Sequence, residues 1–134
     1  MTRAQHDGLV SGFILGVLIA FIFALVIRLI PDEWLVNELY RALLYIAQVP
    51  AALFFIPIAS GVARIKNESP RNVLLWACCG ALAFDGLVLG FWPSLYGHEG
   101  LALTVVATLL LWAFAWIAAA ALLVTPDQAR DTKA

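Results

Sequence analysis

The chain has 134 residues, of which 63% are hydrophobic and 13% are charged. An average soluble domain is roughly 45–50% apolar and about 25% charged, so this composition excludes a soluble globular protein and indicates an integral membrane protein. It also excludes a disordered chain and a fibrous repeat. Eight Lys and Arg residues against nine Asp and Glu residues leave no basic surplus to engage phosphates. A nucleic-acid partner is therefore excluded.

Four apolar stretches are long enough to cross a bilayer as helices, over residues 9–30, 42–65, 72–92 and 101–124. A hydrocarbon core about 30 Å thick requires roughly 20 residues, because every backbone polar group must be satisfied within its own segment. We therefore predict an all-α fold, an integral membrane four-helix bundle that forms a single domain over residues 1–126. Residues 127–134 are expected to form a short cytoplasmic tail. The first span is too long for the apolar part of a signal peptide, so we expect it to be retained.

Helix-breaking and helix-starting residues agree with this division. Three prolines each follow an apolar run and stop a helix from continuing: Pro31, Pro93 and Pro126. Ser69 followed by Pro70 predicts the N-cap and first residue of the third span. Asp32 is expected to cap a helix that precedes the second span, because apolar residues recur at helical spacing from Leu35 to Ile46. This helix would lie on the membrane surface before the chain turns inward.

The second span carries two prolines seven residues apart, Pro50 and Pro57, which share one helix face. Each lacks a backbone N–H group, so the pair predicts a kinked or locally opened helix with freed carbonyl groups. Such breaks occur both in transporters and in plain helical bundles.

Lys and Arg residues are distributed unequally between the two ends of the predicted bundle. One end carries six of the eight: Arg3, Arg64, Lys66, Arg71, Arg130 and Lys133. The other end carries only Arg28 and Arg41. Because cytoplasmic segments are enriched in positive residues, this asymmetry predicts that both termini are cytoplasmic.

Small residues form a stripe along the first span at strict four-residue spacing: Gly8, Gly12, Gly16, Ala20 and Ala24. Helices in lipid associate through close contacts between such residues, so another helix is expected to lie close along this span. That helix is either another span of this chain or part of a second chain. A second stripe in the third span, formed by Cys79, Ala83, Gly86 and Gly90, predicts a further packing surface.

Asp85 is the only acidic residue inside a predicted span, and it lies roughly 10 Å below the end of its helix at 1.5 Å per residue. An intramembrane carboxylate costs a few kcal/mol and usually faces a bundle interior or a wet cavity. The same depth places Gln48 and Thr108 in its layer, with Thr104 one turn above, while Arg28 is close enough to reach toward them. The four residues Asp85, Gln48, Thr108 and Arg28 are a candidate ligand or proton site. The alternative is that Asp85 is neutral or paired and only ties the helices together.

The remaining polar groups form no catalytic, metal or cofactor motif. Cys78 and Cys79 are adjacent and point about 100° apart on a helix, which excludes an ordinary disulfide; they are expected to be small residues at a helix contact. His6 and His98 lie at opposite ends of the bundle, so no haem, zinc or di-iron ligand set exists. His98 and Glu99, between glycines, predict a solvated turn; a pH-sensing or metal-contacting role is the alternative. We expect no cofactor and no metal. The lack of catalytic motifs favours a non-enzymatic protein and leaves an enzyme that depends on Asp85 as a third alternative.

Three segments in the second half of the chain resemble a domain-of-unknown-function family of small four-span bacterial membrane proteins: Ala83-Phe84-Asp85-Gly86, Phe91-Trp92-Pro93-Ser94-Leu95-Tyr96 and Leu111-Trp112-Ala113. In that family an Asp in the third span precedes an aromatic-proline step. Trp92 stands where the family pattern has Phe, and the first half of the chain is similar only in hydropathy. The resemblance implies a bacterial inner-membrane location and draws attention to Asp85, but it implies no activity.

The sequence thus supports two function hypotheses. The first is a membrane protein that acts through helix–helix contacts, as a homo-oligomer or as an accessory subunit of a larger membrane assembly. It depends on the stripe of small residues and on the lack of catalytic groups. The second is a small transporter or ligand-binding bundle that uses the carboxylate of Asp85.

Overall fold

The computed structural model describes residues 3–123, with side-chain surroundings from residue 9 onward. Within this part of the chain the regular elements are six α-helices and one 3-10 turn: α1 (Arg3–Ile27), α2 (Asp32–Val36), α3 (Glu38–Leu53), α4 (Phe55–Lys66), α5 (Pro70–Phe91), the turn Pro93–Tyr96 and α6 (Gly100–Leu123). The predicted tail over residues 127–134 lies outside the described residues.

Four helical segments are long and apolar enough to cross a membrane: Leu9–Ile27, Glu38–Lys66, Pro70–Phe91 and Gly100–Leu123. The predicted all-α, four-span fold is therefore confirmed. The first span ends three residues earlier than predicted, because tighter hydrogen bonds from Leu29 and Ile30 to the carbonyls three residues before them close the helix. The orientation of the bundle across the membrane stays a prediction.

The segment before the second span differs from the expected continuous surface helix. Asp32 is the first residue of the short α2 rather than its cap, and Pro31 precedes it without a side-chain hydrogen bond. Asn37 interrupts the helix, since its side-chain oxygen accepts from the backbone N–H of Leu39 at 3.0 Å and starts α3. The second span therefore begins at Glu38, because an Asn side chain that captures backbone N–H groups favours a helix start over a helix interior.

The second span is opened between its two prolines, as predicted. α3 contains Pro50 and ends at Leu53, and α4 begins at Phe55. Pro57 has no N–H group for the carbonyl of Leu53, so the helical ladder is broken at this point. Phe54 keeps helical dihedral angles, and the two halves still form one apolar segment.

The helices pack in a definite order. α1 packs mainly against α5, α3 packs against α6, and α5 also contacts α4 and α6, whereas α1 has no comparable contact with α3. The connections at residues 28–37 and 92–99 lie at one end of the bundle, which we call the His98 end. The residues of the core form two clusters, one toward each end, with Tyr96 and Leu35 in the first and Val73 and Ala63 in the second.

The small residues of α1 make a backbone-to-backbone contact with α5. A Cβ atom at Gly16 would lie 1.9 Å from the carbonyl oxygen of Ala77, and one at Gly80 would lie 2.1 Å from the carbonyl oxygen of Phe13. Side chains are therefore excluded at both positions, and Ala20 and Ala24 farther along α1 are buried. A Cβ at Gly12 would likewise come within 3.0 Å of the Trp76 side chain. The partner of this stripe is α5 of the same chain; the contacts of Gly8 lie outside the described residues.

The second predicted packing stripe faces away from the bundle. Cys79 and Ala83 are exposed, and a Cβ atom at Gly86 or Gly90 would meet no atom within 4 Å. Gly86 and Gly90 therefore take no part in packing within the described chain. α5 meets α1 with a different face, on which Ala77 and Gly80 lie.

Candidate functional site

Asp85 lies in the interior of the bundle, where one of its two carboxyl oxygens has a hydrogen-bond partner. It is 4% exposed, and its Oδ1 atom accepts a hydrogen bond from the hydroxyl of Tyr96. Its Oδ2 atom is buried and has no hydrogen-bond partner. A buried polar atom without a partner costs about 1–3 kcal/mol, so the second oxygen is a position at which a donor would stabilise the protein.

Tyr96 reaches Asp85 because the chain folds back after α5. Pro93 cannot continue the helix, and the turn Pro93–Tyr96 places the Tyr96 side chain inside the bundle, where it is fully buried. Burial, together with the hydrogen bond to Asp85 and the charge of that group, raises the pKa of Tyr96 well above its ordinary value. The hydroxyl therefore keeps its proton and donates a hydrogen bond to Oδ1.

A cavity of about 260 Å³ lies between the four spans, and Asp85 lines it. Gln48 of α3 lines the same cavity, and its Oε1 atom is also buried without a hydrogen-bond partner. The rest of the lining is mostly apolar and includes Phe23, Phe55 and Phe114. Dry protein cavities are lined by apolar groups, whereas two residues of this lining each carry a buried oxygen atom that no described residue satisfies.

Thr108, the predicted site residue of α6, does not line this cavity. Its Oγ1 accepts a hydrogen bond of 2.8 Å from the hydroxyl of Tyr45 and donates one of 2.8 Å to the carbonyl of Val105. The indole N–H of Trp112 donates to the carbonyl of Tyr45 at 3.0 Å. These bonds tie α6 to α3, so Thr108 is satisfied by its neighbours and is not brought together with Asp85. The hydroxyl of Thr104 bonds only to its own helix, at the carbonyl of Gly100.

Arg28 does not reach Asp85 either. It is exposed, its aliphatic chain covers Gly97, and no carboxylate of the described residues lies within ion-pair distance, 4.0 Å, of its guanidinium group. The structure thus brings together two of the four predicted site residues, Asp85 and Gln48, and places Arg28 and Thr108 on other surfaces.

His98 is buried, which corrects the expectation of a solvated turn. It is 3% exposed, with Nδ1 2.5 Å from Oδ1 of Asp32 and Nε2 2.9 Å from the carbonyl oxygen of Ile27. Both partners are acceptors, so both contacts are hydrogen bonds only when each ring nitrogen carries a proton. The imidazole ties the end of α1 to α2 and to the segment before α6.

The two cysteines are free thiols, in agreement with the geometric argument against a disulfide. Cys78 is buried beside α6, with its sulfur 3.9 Å from the carbonyl of Phe114, and Cys79 is exposed. Among the described residues no group of three His, Cys, Asp or Glu side chains is placed to hold a metal ion.

The sequence analysis did not predict Tyr96 as the partner of Asp85, because depth along the spans places no residue of the connections between them. The signal was present in the connection between α5 and α6. Pro93 and, four residues later, Gly97 predict a tight turn of the chain, and Gly97 indeed has a positive φ of 75°. A buried carboxylate needs a donor, and the aromatic hydroxyl in such a return is a candidate for it.

No family model matches the chain, and no curated protein or solved structure matches it. The resemblance to the four-span bacterial family therefore stays a prediction.

Proposed function

We propose that this protein is a membrane protein that binds a small, mainly apolar molecule carrying a hydrogen-bond donor, in the cavity between its four spans. One observation carries the proposal: Asp85 and Gln48 both line this cavity, and each has a buried oxygen atom, Oδ2 and Oε1, without a hydrogen-bond partner. An amine or hydroxyl group of a ligand would supply the missing donors. A protonated amine would in addition balance a charged carboxylate.

The shape of the cavity supports the same class of ligand. Small-molecule sites are concave and mostly apolar, with a few polar groups that fix the orientation of the ligand. Here aromatic rings from α1, α4 and α6 surround two oxygen acceptors, and the volume of about 260 Å³ suits a molecule of one ring with a short polar substituent. This is the second of the two hypotheses drawn from the sequence, with Asp85 and Gln48 as the binding residues.

The first hypothesis, function through helix contacts, loses part of its support. The stripe of small residues on α1, on which it depends, is occupied by α5 of the same chain. For the location we propose the inner membrane of a bacterium with both termini cytoplasmic, which the distribution of Lys and Arg supports. Reporter fusions at the two termini test this orientation.

Binding is tested with three probes of the same ring size. We expect benzylamine and benzyl alcohol to raise the thermal stability of the purified full chain in detergent, and toluene to raise it less, because toluene has no donor. Ligand that binds only the folded state stabilises it in proportion to the logarithm of its concentration, which gives the affinities. Gln48→Leu and Asp85→Asn should each weaken the preference for benzylamine over toluene.

Thr104→Val is the matched control, because the Thr104 hydroxyl lies in a span but bonds only to its own helix. It should leave all three affinities unchanged. Equal stabilisation by toluene and benzylamine, or the same preference in Gln48→Leu and Asp85→Asn as in the unchanged chain, would contradict the proposal.

A second candidate function, association with another copy of the chain, is favoured by the outward face of α5. The small residues Cys79, Ala83, Gly86 and Gly90 are exposed along one line of this helix, and such a line permits close approach of a helix in lipid. Mild oxidation of native membranes tests it, because Cys79 is a free thiol on that line. A disulfide-linked dimer that disappears in Cys79→Ser but persists in Cys78→Ser supports association through this face. Monomer in every case speaks against it.

A further inference from the structure

A second concave surface, independent of the cavity, lies between α1 and α5 at the His98 end. This groove has a volume of about 900 Å³ and is lined by apolar side chains, among them Phe21, Phe84, Leu87 and Phe91. None of its lining residues lines the cavity. We call it the Arg28 groove, because Arg28 and Ser94 are the polar residues of its lining.

The apolar part of the groove runs along the helices. Phe21 lies seven residues before Arg28 on α1, and Phe84 lies seven residues before Phe91 on α5, which corresponds to a length of about 10 Å in each case. The rings of Phe21 and Phe84 meet edge to face, with their centroids 6.1 Å apart. Leu87 and Phe91 are 62% and 78% exposed, so this part of the groove faces the surroundings of the bundle, which in a membrane are lipid chains.

The end of the groove is polar and positively charged. Arg28 follows the last residue of α1, and its guanidinium group is always protonated and has no carboxylate of the described residues within 4.0 Å. Asp32, the acidic residue four positions later, is held by His98. Ser94 is exposed, and its hydroxyl makes no hydrogen bond in the described part of the chain. Trp92, 73% exposed beside them, is the type of residue found at the level of lipid headgroups.

The aliphatic chain of Arg28 packs over the turn before α6. A Cβ atom at Gly97 would lie 2.6 Å from Cγ of Arg28, so the glycine leaves room for this chain to pass. Arg28 therefore contacts the turn and lines the groove with the same side chain.

We propose that the Arg28 groove binds an acidic phospholipid from the leaflet at the His98 end. The phosphate would contact the guanidinium group of Arg28 and the hydroxyl of Ser94, and an acyl chain would lie on Phe21, Phe84 and Leu87. The charge and the direction of the groove select this occupant. The apolar part runs along the spans as acyl chains do, and the charged residue that lines the groove, Arg28, follows the end of the first span and has no carboxylate of the described residues within 4.0 Å.

Lipid binding to the purified full chain in neutral detergent tests the proposal by native mass spectrometry. Phosphatidylglycerol and phosphatidylcholine with identical acyl chains are the probes. We expect phosphatidylglycerol to be retained preferentially, and Arg28→Gln to weaken its binding about fivefold, the effect of one basic residue on an acidic lipid. Arg28→Lys should keep most of the preference.

Arg41→Gln is the matched control, because Arg41 is the other basic residue near this end but does not line the groove. It should leave the preference unchanged. Ser94→Asp places a negative charge at an exposed position of the same polar end and should remove the preference even if Arg28→Gln fails to fold; Ser94→Asn should not.

Three outcomes would overturn the proposal. The first is an unchanged preference for phosphatidylglycerol in both Arg28→Gln and Ser94→Asp. The second is an equal loss in Arg41→Gln, which would indicate a general effect of net charge. The third is full competition by water-soluble glycerol 3-phosphate, which would assign the site to a free phosphate instead of a lipid.

Discussion

The two sides of α1 show opposite ways of packing a helix in this bundle. Toward α5, α1 approaches so closely that Gly16 and Gly80 leave no room for a Cβ atom. Toward α3, the helices stand apart and leave a cavity lined by Asp85 and Gln48. Small residues occur at both places, because Ala47 and Ala51 of α3 line the cavity.

Small residues therefore permit close approach but do not enforce it. α1 and α5 are long and uninterrupted, so their backbones can meet along much of a span. The span opposite is broken at Phe54 between its two prolines and is divided between α3 and α4. A broken helix cannot follow a straight neighbour over its whole length, which leaves space in the middle of the bundle.

The largest loss of stability is expected at the close contact between Gly16 of α1 and Ala77 of α5. Gly16→Leu places a side chain where the backbone of Ala77 already lies, so we expect a loss of about 3 kcal/mol or more, the upper part of the range for overpacking. Thermal unfolding in detergent measures it. Gly86→Leu is the matched control, because a Cβ there meets no atom within 4 Å, and its stability should change by less than about 0.5 kcal/mol. Similar losses in both variants would show that the two glycines are not packed differently.

The next largest loss of stability is expected when the hydrogen bond from Tyr96 to Oδ1 of Asp85 is removed. Tyr96→Phe removes the hydroxyl that donates to Oδ1 and leaves both carboxyl oxygens without a partner, so we expect a loss of about 1–3 kcal/mol. Tyr40→Phe is the control, because Tyr40 is exposed and its hydroxyl makes no hydrogen bond in the described chain. If both changes have the same effect on the unfolding midpoint, the bond to Asp85 does not stabilise the fold.

The raised pKa of Tyr96 gives the same bond a pH dependence. The pKa is higher in the folded than in the unfolded state, so the stabilisation is complete below about pH 10, the ordinary value for tyrosine, and is lost as the pH rises above it. Between pH 10 and 11 the unchanged chain should therefore lose about 1 kcal/mol more than Tyr96→Phe. Unfolding measured at both pH values gives the difference between the two proteins. Parallel pH curves would contradict a buried, neutral Tyr96.

The smallest expected effect is at the cavity. Ala51→Leu enlarges a small side chain as Gly16→Leu does, but Ala51 lines the cavity, where there is empty volume. We expect between no change and a gain of about 1 kcal/mol in stability, as for other cavity-filling substitutions. Binding of benzylamine should be lost at the same time. A loss of stability as large as that of Gly16→Leu would remove the distinction between the two sides of α1.

Local features of the sequence predicted much of the fold. Apolar length predicted the four spans, and the prolines predicted where α5 ends and where the second span opens, whereas α1 ends four residues before Pro31. A rise of 1.5 Å per residue predicted that Asp85 and Gln48 lie near each other, and the structure places both in the lining of one cavity. The cap of α3 at Asn37 was missed, although an Asn before a Glu at a helix start is a local signal.

Depth alone does not tell which residues meet. Arg28 and Thr108 were predicted to lie near Asp85, yet Arg28 lies in a groove on one surface and Thr108 bonds to Tyr45 on another. Which neighbour a side chain contacts depends on how its helix is rotated relative to the other helices. For the same reason the sequence did not determine whether the stripe of α1 contacts a helix of the same chain or of another chain.

The sequence by itself determined that this chain forms four apolar helices with a single carboxylate inside them, because the bilayer imposes helix length and burial cost on each segment separately. Only the tertiary structure decided that α1 packs on α5, that Tyr96 folds back to bond Asp85, and that His98 is buried between Asp32 and Ile27. These contacts join residues far apart in the chain. Their geometry depends on how whole helices and turns fit together, which no local pattern of residues encodes.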